Sequence, residues 1–239
     1  MPNDLRVGIH AILYCVLLVF IAYYFIDKPV VFWMVDHHIR QYIFLDWFTH
    51  IPEIFAGSLI IIYPILIIRY CYNKFTYHDR VLLTAANSIA IANIIHDPLK
   101  IIFGRYWPAT WVNNNLSLVR DHAYGFNWFH TDKAFASFPS GHTTITVAAM
   151  IVLWFAYPRL RWLAVVISLA VAIGLIGMYY HFVSDVIAGA YLGGLTGFYT
   201  LKLSKLAKVG AAAGERTPRP GKLEQEPYQN AIDNRNRPK

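Results

Sequence analysis

A histidine and an aspartate four residues apart, His181 and Asp185, are the residues of this sequence best suited to covalent chemistry. At that spacing the two side chains share one face of a helix that has begun by His181. An aspartate that accepts a hydrogen bond from one imidazole nitrogen fixes the tautomer and leaves the other nitrogen free as a nucleophile. A proton relay or a structural polar bridge would use the same pair, so the pair alone leaves three interpretations open.

A second cluster, Ser140-Gly141-His142, follows a proline and directly precedes an apolar run. Such residues make a turn into a helix start, where free N–H groups and partial positive charge attract anions. Gly141 lets the backbone approach a ligand closely, and His142 adds a proton donor. The cluster predicts a phosphate site with an acid beside it, and a serine N-cap next to an exposed histidine is the alternative.

A third cluster spans residues 100–108, where Lys100 and Arg105 place two positive charges at the end of another apolar run. By themselves they are also typical of long basic side chains that anchor a helix beside an aromatic belt. Together the three clusters supply two cations, an anion site, an acid, a nucleophile and a carboxylate. This collection indicates phosphoryl transfer, which depends on positioning and charge stabilisation.

The elements that position these clusters are long apolar runs. The chain has 239 residues, of which 56% are hydrophobic, 16% aromatic and only 15% charged. A bilayer core needs about 20 apolar residues in a helix, and we therefore predict an all-α, integral membrane bundle of six transmembrane helices. The six predicted spans are Gly8 to Ile26, Ile54 to Ile68, Val81 to Phe103, Thr143 to Tyr157, Leu163 to Tyr180 and Val183 to Leu203.

The basic residues alternate with these spans in a way that predicts the orientation of the chain. Fifteen of the 21 lysines and arginines lie on the side of the two termini and six on the other. The positive-inside rule then places both termini in the cytoplasm and the segments 27–53, 104–142 and 178–184 outside. The active site would face outward, on the periplasmic or outer face of the inner membrane if the source is bacterial. This distribution explains the net charge of +7 better than a nucleic-acid partner does, so none is predicted.

The predicted organisation is one membrane domain, residues 1–205, followed by a disordered basic cytoplasmic tail, residues 206–239. The tail is rich in Ala, Gly, Pro, Asn and charge, with nothing to bury. The stretch Phe32 to Pro52 mixes aromatic and charged residues and favours an interfacial amphipathic helix over a seventh span.

Taken in the order in which they occur along the chain, the three clusters resemble the motifs of the type 2 phosphatidic acid phosphatase family, in its membrane lipid phosphatase branch. The resemblance covers roughly residues 95–190 and implies a phosphohistidine mechanism. His181 would attack phosphorus, Asp185 would orient it, and His142 would protonate the leaving group. The implied phosphate-binding residues are Lys100, Arg105, Ser140 and Gly141, and the resemblance implies neither a metal nor a cofactor.

Two positions depart from the family pattern. Trp107 stands where an arginine usually precedes the proline, and Leu175 stands where an arginine is expected six residues before the nucleophile. Arg120, in the long outward loop, is the first candidate to replace one of these cations and is added to the predicted phosphate-binding set. Lys133 is the second candidate. His96 and Asp97 are interpreted as structural polar groups near a helix kink, without a role in the reaction.

The predicted function is hydrolysis of a lipid phosphomonoester or diphosphate at the outer face. Candidate substrates are phosphatidic acid, phosphatidylglycerol phosphate, undecaprenyl diphosphate and a lipid A phosphate, with membrane lipids as the other partners. Two alternatives stay open. One is a phosphotransferase that passes the phosphate to a second lipid, and the other is an inactive relative that serves as a transporter or scaffold.

Overall fold

The computed structural model describes residues 3–204, and all of the regular elements in this range are helical. The predicted tail, residues 206–239, lies outside the described residues. The α-helices are α1 (Asn3–Ile21), α2 (Asp27–Asp36), α3 (Ile43–Thr49), α4 (Ile51–Cys71), α5 (Tyr77–Phe103), α6 (Leu118–Asp121), α7 (Gly141–Ala156), α8 (Arg161–Gly177) and α9 (Val183–Leu203). A π-helical turn, Ala22–Ile26, joins α1 to α2, and short 3-10 turns lie at Ile39–Gln41, Lys133–Phe135 and Pro158–Leu160.

Each of the six predicted apolar runs overlaps one of the long helices, and the runs predicted to end at Tyr157 and Tyr180 extend one and three residues beyond α7 and α8. The boundaries agree best for α9, which begins at Val183 and ends at Leu203 as predicted. The largest difference is in the first run, because the helix does not stop near Ile26 but continues through the π-helical turn to Asp36. Asp27 therefore belongs to a helix and not to an outward loop.

Three helical stretches of the described chain are long and apolar enough to cross a membrane, namely His10–Asp36, Ile43–Cys71 and Pro158–Gly177. Helix α7 is a shorter apolar helix. Large apolar side chains on these stretches face outward, and Ile60 of α4 is 80% exposed. A surface of this kind is stable in lipid and not in water, so the chain is a membrane protein.

Helix α7 lies at the centre of the bundle and packs against α4, α5, α8 and α9. Its contact with α5 contains a small apolar core that includes Ile89, Ala92, Ile145 and Ala148. Polar side chains on α7 are also buried: Thr144 and Thr146 bond the carbonyl groups of the preceding turn, at 2.7 and 2.8 Å. The buried hydroxyl groups are thus satisfied within the helix, as an apolar surrounding requires.

Helix α9 approaches α7 through a row of glycines at every fourth residue, Gly189, Gly193 and Gly197. A Cβ built on Gly189 would lie 2.5 Å from the carbonyl oxygen of Ser140, and one built on Gly197 would lie 2.5 Å from that of Ala148. Small residues at this spacing let two helix backbones come close and gain dispersion contacts. The close approach also sets the height of Asp185 relative to Ser140, whose N–H donates to the carbonyl oxygen of Asp185 at 3.1 Å.

We expect Gly193→Val to destabilise the bundle, because the new side chain meets the backbone of α7 at Thr144. Overpacking of this kind costs about 1–3 kcal/mol or more when backbone has to move. Gly194→Val is the matched control, since no atom lies within 4 Å of a Cβ at that position. Thermal unfolding of the two variants in detergent measures the difference, and equal unfolding midpoints would contradict the close packing of α7 and α9.

The stretch Phe32 to Pro52 is divided and does not form one amphipathic helix. Helix α2 ends at Asp36, and His38 adopts a left-handed backbone with φ of 52° before the 3-10 turn. Helix α3 then packs against α8, where Gly174 lies against the carbonyl oxygen of Leu45 and the side chain of Phe48.

Candidate active site

The start of α7 has the geometry of an anion-binding site. Ser140 is the N-cap, and its hydroxyl accepts hydrogen bonds from the N–H and the hydroxyl of Thr143, at 3.3 and 3.0 Å. The hydroxyl therefore has its own proton left to donate. The N–H groups of Gly141 and His142 precede the first intrahelical bond, which Thr144 makes to Ser140 at 3.0 Å, and they are free to bind an anion.

The loop between α8 and α9 places His181 beside this helix start. The N–H of His181 donates to the carbonyl oxygen of Leu175 at 3.2 Å, and the side chain is only 2% exposed. Trp111 holds the same loop from outside, because its indole N–H donates to the carbonyl oxygen of Tyr179 at 3.0 Å and its ring stacks on Tyr180. The nucleophile predicted from sequence is thus fixed on both sides.

Asp185 lies one turn below His181 and is fully buried. Its Oδ2 accepts hydrogen bonds from the hydroxyl of Ser137 at 2.7 Å and from the N–H of Phe182 at 2.9 Å. The same oxygen is 3.5 Å from Nδ1 of His181, which is longer than a hydrogen bond. No hydrogen-bond partner satisfies that buried Nδ1 in the described residues, so a small rotation of the ring is enough to make the bond.

His142 and His181 face each other with 6.2 Å between their ring centroids. His142 is the more accessible of the two, with 38% of its side chain exposed, and its Nε2 lies 3.9 Å from Oε1 of Glu53. Lys100 is half-buried at the end of α5, and its charge acts on both histidines. The structure therefore brings together Lys100, Ser140, Gly141, His142, His181 and Asp185 from the set predicted by sequence.

A second carboxylate, Asp27, reaches the site from the start of α2. Its Oδ1 accepts the N–H of Ser184 at 3.0 Å, and its Oδ2 accepts Nη2 of Arg105 at 2.7 Å. Nη1 of Arg105 donates to Oδ1 of Asp185 and, at 2.6 Å, to the hydroxyl of Ser184. Arg105 thus bridges two aspartates, and the side chains of all three charged residues have no exposed surface.

The backbone turn at Gly104 directs Arg105 inward. Gly104 ends α5 with φ of 52°, and the carbonyl group of Asn127 occupies the place where a Cβ would be. Only glycine fits both conditions. The guanidinium then lies 4.3 Å from the ring of Phe182 and within hydrogen-bond reach of the Tyr124 hydroxyl, at 3.2 Å.

The prediction that Arg105 binds the substrate phosphate is wrong in this structure. Both terminal nitrogens of its guanidinium are bonded to carboxylates, and the side chain is 0% exposed, so no phosphate oxygen reaches it. The physical reason is the partner on α2: two buried carboxylates cost far more without a cation between them. Arg105 instead holds Asp185 from behind.

Arg120 makes all of its described contacts within its own loop. It pairs with Asp121 at 3.0 Å and donates to the side chain of Asn114 and to the carbonyl oxygen of Asn115, and 42% of its side chain is exposed. None of these bonds directs it to the histidines, so its role as a phosphate ligand stays a prediction. The backbone of Lys133 is linked to the site through Trp107. The indole N–H of Trp107 donates to the Lys133 carbonyl oxygen at 2.9 Å, and the ring centroid of Trp107 lies 5.4 Å from that of His181.

Sequence reasoning assigned no place in the site to Asp27, Ser137 and Ser184, and it interpreted His96 as a structural polar group. A signal for Asp27 was present, because an acidic residue inside a long apolar helix is costly and needs a partner. His96 is four residues before Lys100 and so lies on the same helix face, and it is buried at 6% exposure. The two serines carry no such signal, since serine is common in loops and at helix starts.

Burial lowers the pKa of the His181 imidazole below its ordinary value of 6.5, and the Asp185 carboxylate opposes this shift only in part. A lowered pKa keeps the ring neutral at neutral pH, which is the form that has a lone pair for attack. We expect His181 to titrate with a midpoint below 6.5. Long-range proton–nitrogen imidazole spectra, assigned with the His181→Ala variant, measure it, and a midpoint above the ordinary value would contradict the burial.

In the part of the chain that the structure describes, no three His, Cys, Asp or Glu side chains are arranged to hold a metal ion. The groups at the site are those that bind and attack an anion: a lysine, free N–H groups at a helix start, two histidines and a paired aspartate.

An all-helical membrane fold thus carries a two-histidine, one-aspartate site at the ends of its helices. Residues 81–208, more than half of the chain, match the model of the PAP2 superfamily, and the chain belongs to that superfamily of phosphatases.

Two crystal structures match the chain in a structural comparison. LpxE of Aquifex aeolicus is 19% identical with a TM-score of 0.48, and the match covers 74% of this chain and 95% of that chain. The transmembrane phosphatidylglycerolphosphate phosphatase of Bacillus subtilis is 17% identical with a TM-score of 0.40, and the match covers 82% and 95% of the two chains. No curated protein matches the chain.

Proposed function

We propose that this protein is a lipid phosphatase that removes a phosphoryl group from a phosphomonoester or diphosphate lipid through a phosphohistidine on His181. The observation that carries the proposal is the pair of imidazoles, His142 and His181, whose ring centroids lie 6.2 Å apart beside the free N–H groups of α7. A phosphoryl group held by those N–H groups and by Lys100 would lie between the nucleophile and the acid.

The reaction follows in two steps. In the first, the Nε2 lone pair of His181 attacks phosphorus, the bond from phosphorus to the lipid oxygen breaks, and His142 gives its proton to that oxygen. In the second, neutral His142 takes a proton from water, the water oxygen attacks phosphorus, and the bond to His181 breaks to release phosphate. Asp185 accepts a hydrogen bond from the Nδ1–H of His181 without taking the proton, and it stabilises the positive charge that develops on the ring.

A lipid substrate is supported by an apolar groove between α4, α5 and α7. The groove has a volume of about 500 Å³ and includes Phe55, which is two residues from the Glu53 that contacts His142. Its other lining residues include Ile62, Leu82 and Leu153. Most of this lining lies toward the ends of α5 and α7 that are far from the histidines, so a lipid in the groove would reach them by extending its headgroup past Phe55. Phosphatidic acid, phosphatidylglycerol phosphate, undecaprenyl diphosphate and a lipid A phosphate all have this form.

The proposed topology has six crossings, made by α1 together with α2, and by α4, α5, α7, α8 and α9. The basic residues then place both termini in the cytoplasm and the site on the outer face. Under this topology the long loop between α5 and α7, with Trp107 against His181, covers the site from outside.

The test is phosphate release by the purified protein in detergent, with EDTA present, across the four lipid classes. We expect release from at least one lipid, unchanged by EDTA, and none by the His181→Ala variant. A second lipid with a free hydroxyl is included, because phosphate that appears on it would identify a phosphotransferase. Release that requires added metal, or release that survives in the variant, would contradict the proposed mechanism.

A further inference from the structure

Neither position that departs from the family pattern gives the site a cation. Leu175 is apolar and fully buried. Trp107 uses its only polar hydrogen to bond the carbonyl oxygen of Lys133, at 2.9 Å. Since Arg105 is also withdrawn between two aspartates, a phosphate at the start of α7 would have few charged donors besides Lys100.

His96 lies beside that helix start. It belongs to α5, one turn before Lys100, and it is buried at 6% exposure. Its Nδ1 lies 2.9 Å from the carbonyl oxygen of Ala92 and must carry a proton to bond it. This bond leaves Nε2 as the ring nitrogen that can bind a further group.

Nε2 of His96 points at Gly141. A Cβ built on Gly141 would lie 2.6 Å from this nitrogen, so only the missing side chain of glycine makes room for the imidazole. The edge of the His96 ring that carries Nε2 thus packs against the first residue of α7. The other polar neighbour of Nε2 is Asp97, whose Oδ1 is 3.2 Å away and whose side chain is 72% exposed.

The charges around His96 come from several elements. Asp97 of α5 favours a positive charge on the His96 ring, whereas Lys100 of α5 and His181 of the loop before α9 oppose it. His142 of α7 interacts with it as well. His96 is thus electrostatically part of the two-histidine site, although the phosphohistidine reaction leaves it without a task.

We propose that His96 is a phosphate ligand of this active site, whose Nε2 takes up a proton when the anion binds and donates a hydrogen bond to a phosphoryl oxygen held at the N-terminus of α7. The inference rests on the proposed function. In this role His96 supplies the positive charge that the arginines would supply at positions 107 and 175. Nδ1 stays bonded to Ala92 throughout, so the ring needs no rearrangement to bind the anion.

The test measures the binding of inorganic phosphate to the full-length protein in detergent by isothermal titration calorimetry. His96→Leu removes the donor, whereas His96→Gln keeps an N–H donor near the position of Nε2 without charge. His37→Gln is the matched control, because His37 is exposed and, among the described residues, contacts only Trp33.

We expect His96→Leu to weaken phosphate binding by about 10- to 100-fold, as for the loss of a hydrogen bond to a charged group. The phosphate affinity of His96→Gln should lie between those of the wild type and His96→Leu, and the affinity of the control should equal that of the wild type. The wild type should bind phosphate more tightly than His96→Gln at low pH, and this difference in affinity should disappear as the pH rises and His96 loses its proton. A structural role would not produce that pH dependence.

Equal phosphate affinity of the wild type and His96→Leu, both with the unfolding midpoint of the wild type, would overturn the inference. If His96→Leu does not fold, equal affinity of the wild type and His96→Gln at every pH overturns it instead. The proposed function fails separately, when the wild type releases no phosphate from any lipid. If the wild type releases phosphate from a lipid but the variants bind phosphate as tightly as the wild type, the role of His96 is contradicted and the proposed function is not.

Discussion

Replacement of His181 by alanine is expected to lower phosphate release by at least about 1,000-fold, because no other group in the site can form the covalent intermediate. The backbone N–H of His181 donates to the carbonyl oxygen of Leu175, and its buried ring lies 3.5 Å from the carboxylate of Asp185, so the position of the residue is set by the fold and not by the substrate. His142, 6.2 Å away across the site, has no carboxylate of comparable burial behind it.

The decisive measurement is a rapid acid-free quench of the enzyme with radiolabelled lipid phosphate. Label bound to the protein should be stable in base and lost in acid, as a phosphoramidate is, and it should be missing from His181→Ala. The matched control is His37→Ala, since His37 is exposed and contacts only Trp33. Protein-bound label in His181→Ala would move the nucleophile to another residue.

Replacement of Arg105 by methionine is expected to destabilise the fold by about 3–5 kcal/mol, the usual cost of leaving a buried charge without its partner. Two carboxylates, Asp27 and Asp185, lose their shared cation, and both have no exposed surface. The double variant Arg105→Met with Asp27→Asn removes one of those charges and should recover part of the loss.

Arg120→Met is the control for this prediction. It breaks an ion pair with Asp121 by the same substitution, but Arg120 is 42% exposed, and exposed pairs contribute only about 0–1 kcal/mol. Thermal unfolding in detergent compares the two. If both variants unfold at the same temperature, the buried bridge contributes no more than a surface pair.

The helices could be predicted from the sequence because the membrane demands long apolar runs, and each run became a helix. The placement of the candidate catalytic residues could be predicted for a related reason. Ser140-Gly141-His142 and His181 with Asp185 lie within a few residues of a helix start, and the sequence pattern that marks a helix start is local. The helices do begin there, at Gly141 and Val183.

The surroundings of these residues could not be predicted in the same way. Arg105 resembles a phosphate ligand in its local sequence, and its pairing with Asp27 joins residues 78 positions apart. Whether a cation points to the substrate or to a carboxylate depends on which helices are neighbours, and a short motif holds no such information. His96 was dismissed for the same reason, since its contact with Gly141 is made between α5 and α7.

The bridge from Asp27 to Arg105 has a consequence for how this fold can be divided. The region that matches the superfamily begins at residue 81, but the carboxylate of Asp27, in α2, lies behind Asp185 and bonds Ser184. The matched region is therefore not a module that could be excised or grafted by itself. A chimaera that exchanges α2 must therefore carry an acidic residue at the position of Asp27. Without it, Arg105 would lose one of its two carboxylate partners beside the proposed nucleophile.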